Sequence, residues 1–147
     1  MIDRIRTPED LPIYTFDQGV KFIERIIDEC EHPAVIAIHG QPNSGKSTLC
    51  KKVLENFARE GKYGYMAYPD EIYSVPYEPK FYLLQDTPPH DRATRLIIAH
   101  FKRGPNARIL IGPRGFLNTI QLSTQNDIAN GDYTIIIDND HATRKQI

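Results

Sequence analysis

Cysteine is scarce in this chain: Cys30 and Cys50 stand alone among 147 residues. Their spacing forms neither a metal-binding nor a redox pair, so they read as two reduced thiols of a cytoplasmic protein. No apolar run reaches the length of a membrane span, and the polar N-terminus predicts no signal peptide, so no membrane partner is expected. Charge is nearly balanced, with 18 basic and 19 acidic residues and a net charge of -1. The basic residues are scattered and form no stripe, which argues against a nucleic-acid partner. His90, His100 and His141 show no ligand spacing, so a zinc site is not expected. Repeats and low-complexity tracts are absent too. A hydrophobic content of 40% over this length suits one globular domain with a real core, residues 1–147, in which residues 1–16 form an irregular arm broken by Pro8 and Pro12.

Against that plain background one stretch stands out. Val35-Ile36-Ala37-Ile38 is a short apolar run, and His39 and Gly40 follow it. Gln41-Pro42-Asn43-Ser44 then lead to Gly45-Lys46-Ser47-Thr48, where a helical pattern begins. This is G-x-x-x-x-G-K-S in the order strand, tight loop, helix, the setting in which the motif has a mechanism. Glycines let the backbone curl and turn its N–H groups inward. Those donors and the helix N-terminus together suit phosphate oxygens. Lys46 has the reach for β- and γ-phosphates, and the Ser47 hydroxyl suits Mg²⁺.

Elsewhere the spacing predicts a helix over 18–30, capped by Asp17, with Val20, Phe22, Ile23, Ile26 and Ile27 on its inner face. The helix after the motif runs to about Arg59 on an inner stripe of Leu49, Val53, Leu54 and Phe57, and Gly61 ends it. Further strands are expected at Tyr63–Tyr68, Phe81–Gln85, Arg108–Ile111 and Tyr133–Ile137. Helices are expected at 91–103 and, weakly, at 117–129, and a loop without regular structure at Pro69–Pro79. Alternating helix and strand patterns predict an α/β fold with a parallel sheet of about five strands. Ligands of such sheets sit beyond the carboxyl ends of the strands. The motif, Asp70, Asp86, Pro113-Arg114 and Asp138 all fall at such ends.

Each of these residues has a chemical and a plainer reading. Asp86 closes an apolar run and suits Mg²⁺ or a Mg²⁺-bound water as the partner of Ser47; the plainer role is a helix cap or loop residue. Asp70 suits proton acceptance from an attacking hydroxyl, or the orienting of water or Mg²⁺; the plainer role is an exposed turn residue after Pro69. Arg92, Arg95 and Arg114 are candidates for stabilising charge on a transferring phosphoryl group, with Arg92 favoured because it follows the third-strand loop. Asn139 or Asp140 is placed to reach a nucleotide base, or belongs to a polar loop. His39 is expected to pack beneath the motif.

Over roughly residues 17–141 the motif and element order resemble the P-loop nucleotide-binding superfamily. Within it the chain is most similar to the nucleoside kinase group, uridine kinase and its phosphoribulokinase and pantothenate kinase relatives. The resemblance rests on the motif, on the helix before the first strand, on Asp70-Glu71-Ile72-Tyr73 after the second strand, and on Gly131 to Asn139 as the closing strand. It implies a three-layer P-loop nucleotide-binding fold, ATP and Mg²⁺ as cofactors, and Asp70 as the residue that activates the substrate hydroxyl. The arginine-rich lid of those kinases has no counterpart, since residues 112–132 hold only Arg114.

Three functions follow as expectations. The first is a kinase that transfers the ATP γ-phosphoryl group to a hydroxyl of a nucleoside-like or other small metabolite, with Lys46, Asp70 and Arg92 in the chemistry. In the second, an ATPase or GTPase coupled to a protein partner, Gln85 and Asp86 hold water and metal. The third is a non-catalytic nucleotide-binding module. The sequence also permits a homodimer.

Overall fold

A computed structural model describes residues 12–30, 33–74, 78–86, 92–112 and 133–139. Its elements, in chain order, are β1 (Ile13–Tyr14), α1 (Phe16–Glu29), β2 (Ala34–His39), α2 (Lys46–Ala58), β3 (Tyr65–Ala67), a 3₁₀ turn (Pro69–Ser74), β4 (Phe81–Asp86), α3 (Arg92–Phe101), β5 (Ala107–Gly112) and β6 (Tyr133–Asp138). The described strands form a single sheet in the order β1-β6-β5-β2-β4-β3, and every pairing is parallel.

The apolar run at the heart of the sequence becomes the middle of this sheet. β2 pairs with β4 on one side and β5 on the other, and all six of its residues are buried. Alternate residues feed two cores, as a strand covered on both faces requires. Ile36 and Ile38 join Leu83, Ile109, Ile111, Ile135 and Ile137 under α1 and α2. Val35 and Ala37 join Tyr82, Leu84 and Ile72 under Ala93 and Ile97 of α3. The two faces follow from handedness. The crossover β2–α2–β3 moves across the sheet in one direction and β4–α3–β5 in the other. Right-handed crossovers therefore place α2 and α3 on opposite faces.

Four expectations change in the structure. The sheet has six described strands rather than about five, because the arm is not wholly irregular. Ile13 and Tyr14 lie beside Ile136 and Ile137, and Ile136 N–H donates to the Pro12 carbonyl at 2.9 Å. Pro12 supplies only a carbonyl there, so its missing N–H costs nothing. Thr15, not Asp17, caps α1, and the helix starts at Phe16. The Thr15 hydroxyl accepts from Gln18 N–H at 3.2 Å, and Thr15 N–H donates to the Gln18 side chain at 3.0 Å. That reciprocal pair satisfies two donors at once, which a lone aspartate two residues later does not. Asp17 stays in the first turn, where its charge favours the helix dipole. β3 is shorter than the expected strand. The expected loop after it begins with the 3₁₀ turn, which Pro69 opens, Glu71 braces by accepting Tyr68 N–H at 2.8 Å, and Ile72 anchors in the α3-side core.

The remaining elements lie within a few residues of their expected bounds. The expected helix at 117–129 lies outside the described residues, as do Tyr77, His90, Asp91, Arg114, Asp132, Asp140 and His141. Among the described residues, no helix is long and apolar enough to cross a membrane.

Candidate functional site

The chain leaves β2 toward β3 and later crosses back over it to β5, so β2 ends where the connections diverge. A crevice at the carboxyl end of the central strand is the usual consequence. The loop 40–45 fills that position and leads directly into α2. Its first residue is tied to the neighbouring strand end, with Gly40 N–H donating to the Asp86 carbonyl at 3.1 Å.

Two of the loop glycines are required by contact. A β-carbon on Gly40 would lie 2.5 Å from Ser44 Oγ and 2.6 Å from the Ile111 carbonyl oxygen. At Gly45 it would lie 2.3 Å from Asn139 Nδ2, and the backbone there is left-handed, with φ 103°. Asn43 is also left-handed at φ 67°, a conformation asparagine adopts more readily than most residues. Left-handed residues within a tight turn bring successive N–H groups to a common side, the geometry of an anion-holding nest.

The start of α2 differs from that of an ordinary helix. Its N-cap is Gly45, and among the described residues no side chain caps it. First-turn N–H groups have no intrahelical acceptors and carry the positive end of the helix dipole. Next to them stands Lys46, only 8% exposed, whose ammonium donates to the Gly40 carbonyl and, at 3.3 Å, to the Gln41 carbonyl. Burial pushes its pKa below the usual lysine value, and the Asp86 carboxylate opposes that shift. Ser44 Oγ is buried inside the loop and has no hydrogen-bond partner among the described residues. A desolvated cation, open helix donors and an unpaired hydroxyl thus share one short loop. Together they form a donor-rich loop suited to an anion with several oxygens.

Polar residues of the flanking strands surround this loop. Ser47 is exposed, and its hydroxyl donates to Gln85 Oε1 at 3.1 Å. Asp86 is buried, and its Oδ2 accepts the N–H of Ala93 at 2.9 Å, so it caps α3 from the end of β4. His39, the last residue of β2, is buried, with Nδ1 3.8 Å from Asp86 Oδ2. Asn139 reaches the loop itself, donating from Nδ2 to the Ser44 carbonyl at 3.0 Å.

The structure thus brings together Gly40 to Ser47, Gln85, Asp86 and Asn139. Thr48 is exposed in the first turn of α2. Asp70 and Arg92 are exposed on the same rim, Asp70 in the 3₁₀ turn after β3 and Arg92 as the first residue of α3. β3 is two places from β2, which puts the two strands about 10 Å apart. Two contacts escaped sequence reasoning. The bond from Asn139 to Ser44 joins residues 95 apart and leaves no local pattern. The grip of Gln85 on Ser47 was foreshadowed only by a polar residue next to last in an apolar strand. The chain matches no protein-family model, and no curated protein matches it by sequence.

Proposed function

We propose that the chain is a P-loop nucleotide-binding protein that holds the polyphosphate of Mg-ATP in residues 40–48 and transfers the γ-phosphoryl group to a hydroxyl of a small metabolite. The observation that carries this reading is the uncapped start of α2 beside the buried Lys46 ammonium and the unpartnered Ser44 hydroxyl. Donors of this kind are costly to bury without an acceptor, and a polyphosphate supplies many. The same donors and the two close-packed glycines fit the ligand; bulkier residues would fill the loop.

The Ser47 proton is directed at Gln85, which leaves the hydroxyl oxygen to face a cation. Ser47 would hold Mg²⁺ directly, with Asp86 behind it; one oxygen of Asp86 is engaged by α3. Bound Mg²⁺ would neutralise phosphate charge. Lys46 exchanges loop carbonyls for phosphate oxygens. Its depressed pKa reflects a desolvated ammonium, which gains most from meeting an anion. Asp70 orients the acceptor hydroxyl or takes its proton, and Arg92 supplies positive charge at the rim. Roughly 10 Å of rim between β2 and β3 leaves room for an acceptor of metabolite size. Asn139 stays within this site, whether it serves the base or the loop.

A second reading is hydrolysis coupled to a protein partner. It is favoured by the placement of Asp70 on the edge-strand side while Gln85 touches Ser47. Turnover of Mg-ATP against a panel of hydroxyl acceptors, with wild type and Asp70→Asn, separates the two. The kinase reading expects product that depends on acceptor and falls by about a hundredfold in Asp70→Asn. ATP consumption without acceptor, unchanged by Asp70→Asn, overturns it in favour of hydrolysis.

A further inference from the structure

Asn139 follows the last residue of β6, separated from β2 by β5. Its backbone is fixed at the end of the sheet: Asn139 N–H donates to the Gly112 carbonyl at 3.1 Å, one step beyond the Gly112–Asp138 register. From there its side chain reaches the phosphate loop at two successive residues. Nδ2 donates to the Ser44 carbonyl at 3.0 Å and lies where a side chain on Gly45 would be, 2.3 Å from that position. Because the peptide group is planar and trans, the Ser44 carbonyl and the Gly45 N–H point in opposite directions. Holding the carbonyl toward Asn139 therefore fixes the Gly45 N–H away from it. The left-handed φ of Gly45 belongs to the same constraint.

Resting on the nucleotide-binding reading above, we propose that Asn139 is a positioning residue that clamps the loop in its anion-holding form, so that it serves the di- or triphosphate tail of the ligand irrespective of the base. A residue that reads a base changes the preference between nucleotides. A residue that shapes the loop changes the affinity for every polyphosphate alike, one without a base included.

The test is calorimetric titration of the full chain with ATP, GTP and inorganic tripolyphosphate, using wild type, Asn139→Ala, Asn139→Ser and the core variant Ile97→Val. Melting temperatures are recorded for each. Asn139→Ala is expected to weaken all three ligands by about tenfold, the worth of one well-made hydrogen bond. Asn139→Ser keeps a short donor and loses less, again equally, and it carries the comparison if the alanine variant does not fold. Ile97→Val lowers the melting temperature but leaves all three affinities unchanged, which separates positioning from general destabilisation. Loss confined to one nucleotide with tripolyphosphate unaffected overturns the proposal and makes Asn139 a base reader. Unaltered affinities in both Asn139 variants also overturn it. Wild type that binds none of the three overturns the nucleotide-binding reading and this proposal with it.

Discussion

Helices α1 and α2 lie side by side on one face of the sheet, yet they begin in opposite ways. At α1 the Thr15 hydroxyl and the Gln18 amide close on each other's backbone N–H groups. At α2 a left-handed glycine stands at the cap, no side chain among the described residues closes the first turn, and a lysine is buried beside it. Helix α3 is intermediate, since Asp86 is lent to it from β4. A helix start that only has to be stable is closed by its own residues. One left open at the end of the central strand has donors to offer a ligand. That contrast supports a ligand site more firmly than the motif's letters do, because it concerns where hydrogen-bond capacity goes.

Substitutions at the two helix starts should separate along the same line. The largest effect is expected for Lys46→Ala, with ATP affinity falling at least about a hundredfold by calorimetry. The chain should stay folded, because loss of the desolvated ammonium offsets the loss of its hydrogen bonds to the Gly40 and Gln41 carbonyls. Gly45→Ala comes next. A methyl group there meets Asn139 Nδ2 and a φ of 103°, so a loss of about 1–3 kcal/mol in denaturant unfolding is expected, together with weaker ATP binding. Thr15→Ala should cost about 1 kcal/mol of stability and leave ATP affinity untouched. If Thr15→Ala weakened binding, or Lys46→Ala unfolded the chain, the contrast between the two starts would fail.

An effect confined to alkaline pH concerns Cys50, on the buried side of α2. Burial pushes its thiol up to about 12 from the ordinary 9.0. The folded state therefore keeps a proton that the unfolded state gives up. The associated stability is complete below pH 9 and is lost as pH rises through 9 toward 12. Lys46, whose pKa is depressed, acts with the opposite sign: in the interval below the ordinary lysine value, stability grows as pH rises. Denaturant titrations from pH 8 to about 11 should show a shallower alkaline decline in Cys50→Ala than in wild type.

Much of this was legible in the sequence because it is local. The apolar run before Gly40 marks a strand buried on both faces, and the spacing from Val20 to Ile27 marks the inner side of α1. Gly45-Lys46-Ser47 marks the turn into α2. What was not legible depends on distant partners. Ile13 and Tyr14 become a strand only because β6 lies beside them. The 3₁₀ turn depends on Ile72 finding the core that α3 closes. Asp86 reads equally well as a metal partner or a cap until the start of α3 arrives at its carboxylate. The Thr15 cap, by contrast, is local: the glutamine at the third helical position completes a capping box, a pattern visible in the sequence.

Polyphosphate binding at the open start of α2 is the proposal on which the other predictions depend. The most direct measurement is a calorimetric titration of wild type with ATP, with and without Mg²⁺, beside Lys46→Ala under the same conditions. Saturable one-site binding to wild type, tighter with Mg²⁺, and its loss in Lys46→Ala are expected. A wild type that takes up no ATP in either condition, or a Lys46→Ala chain that binds as well as wild type, would contradict the proposal.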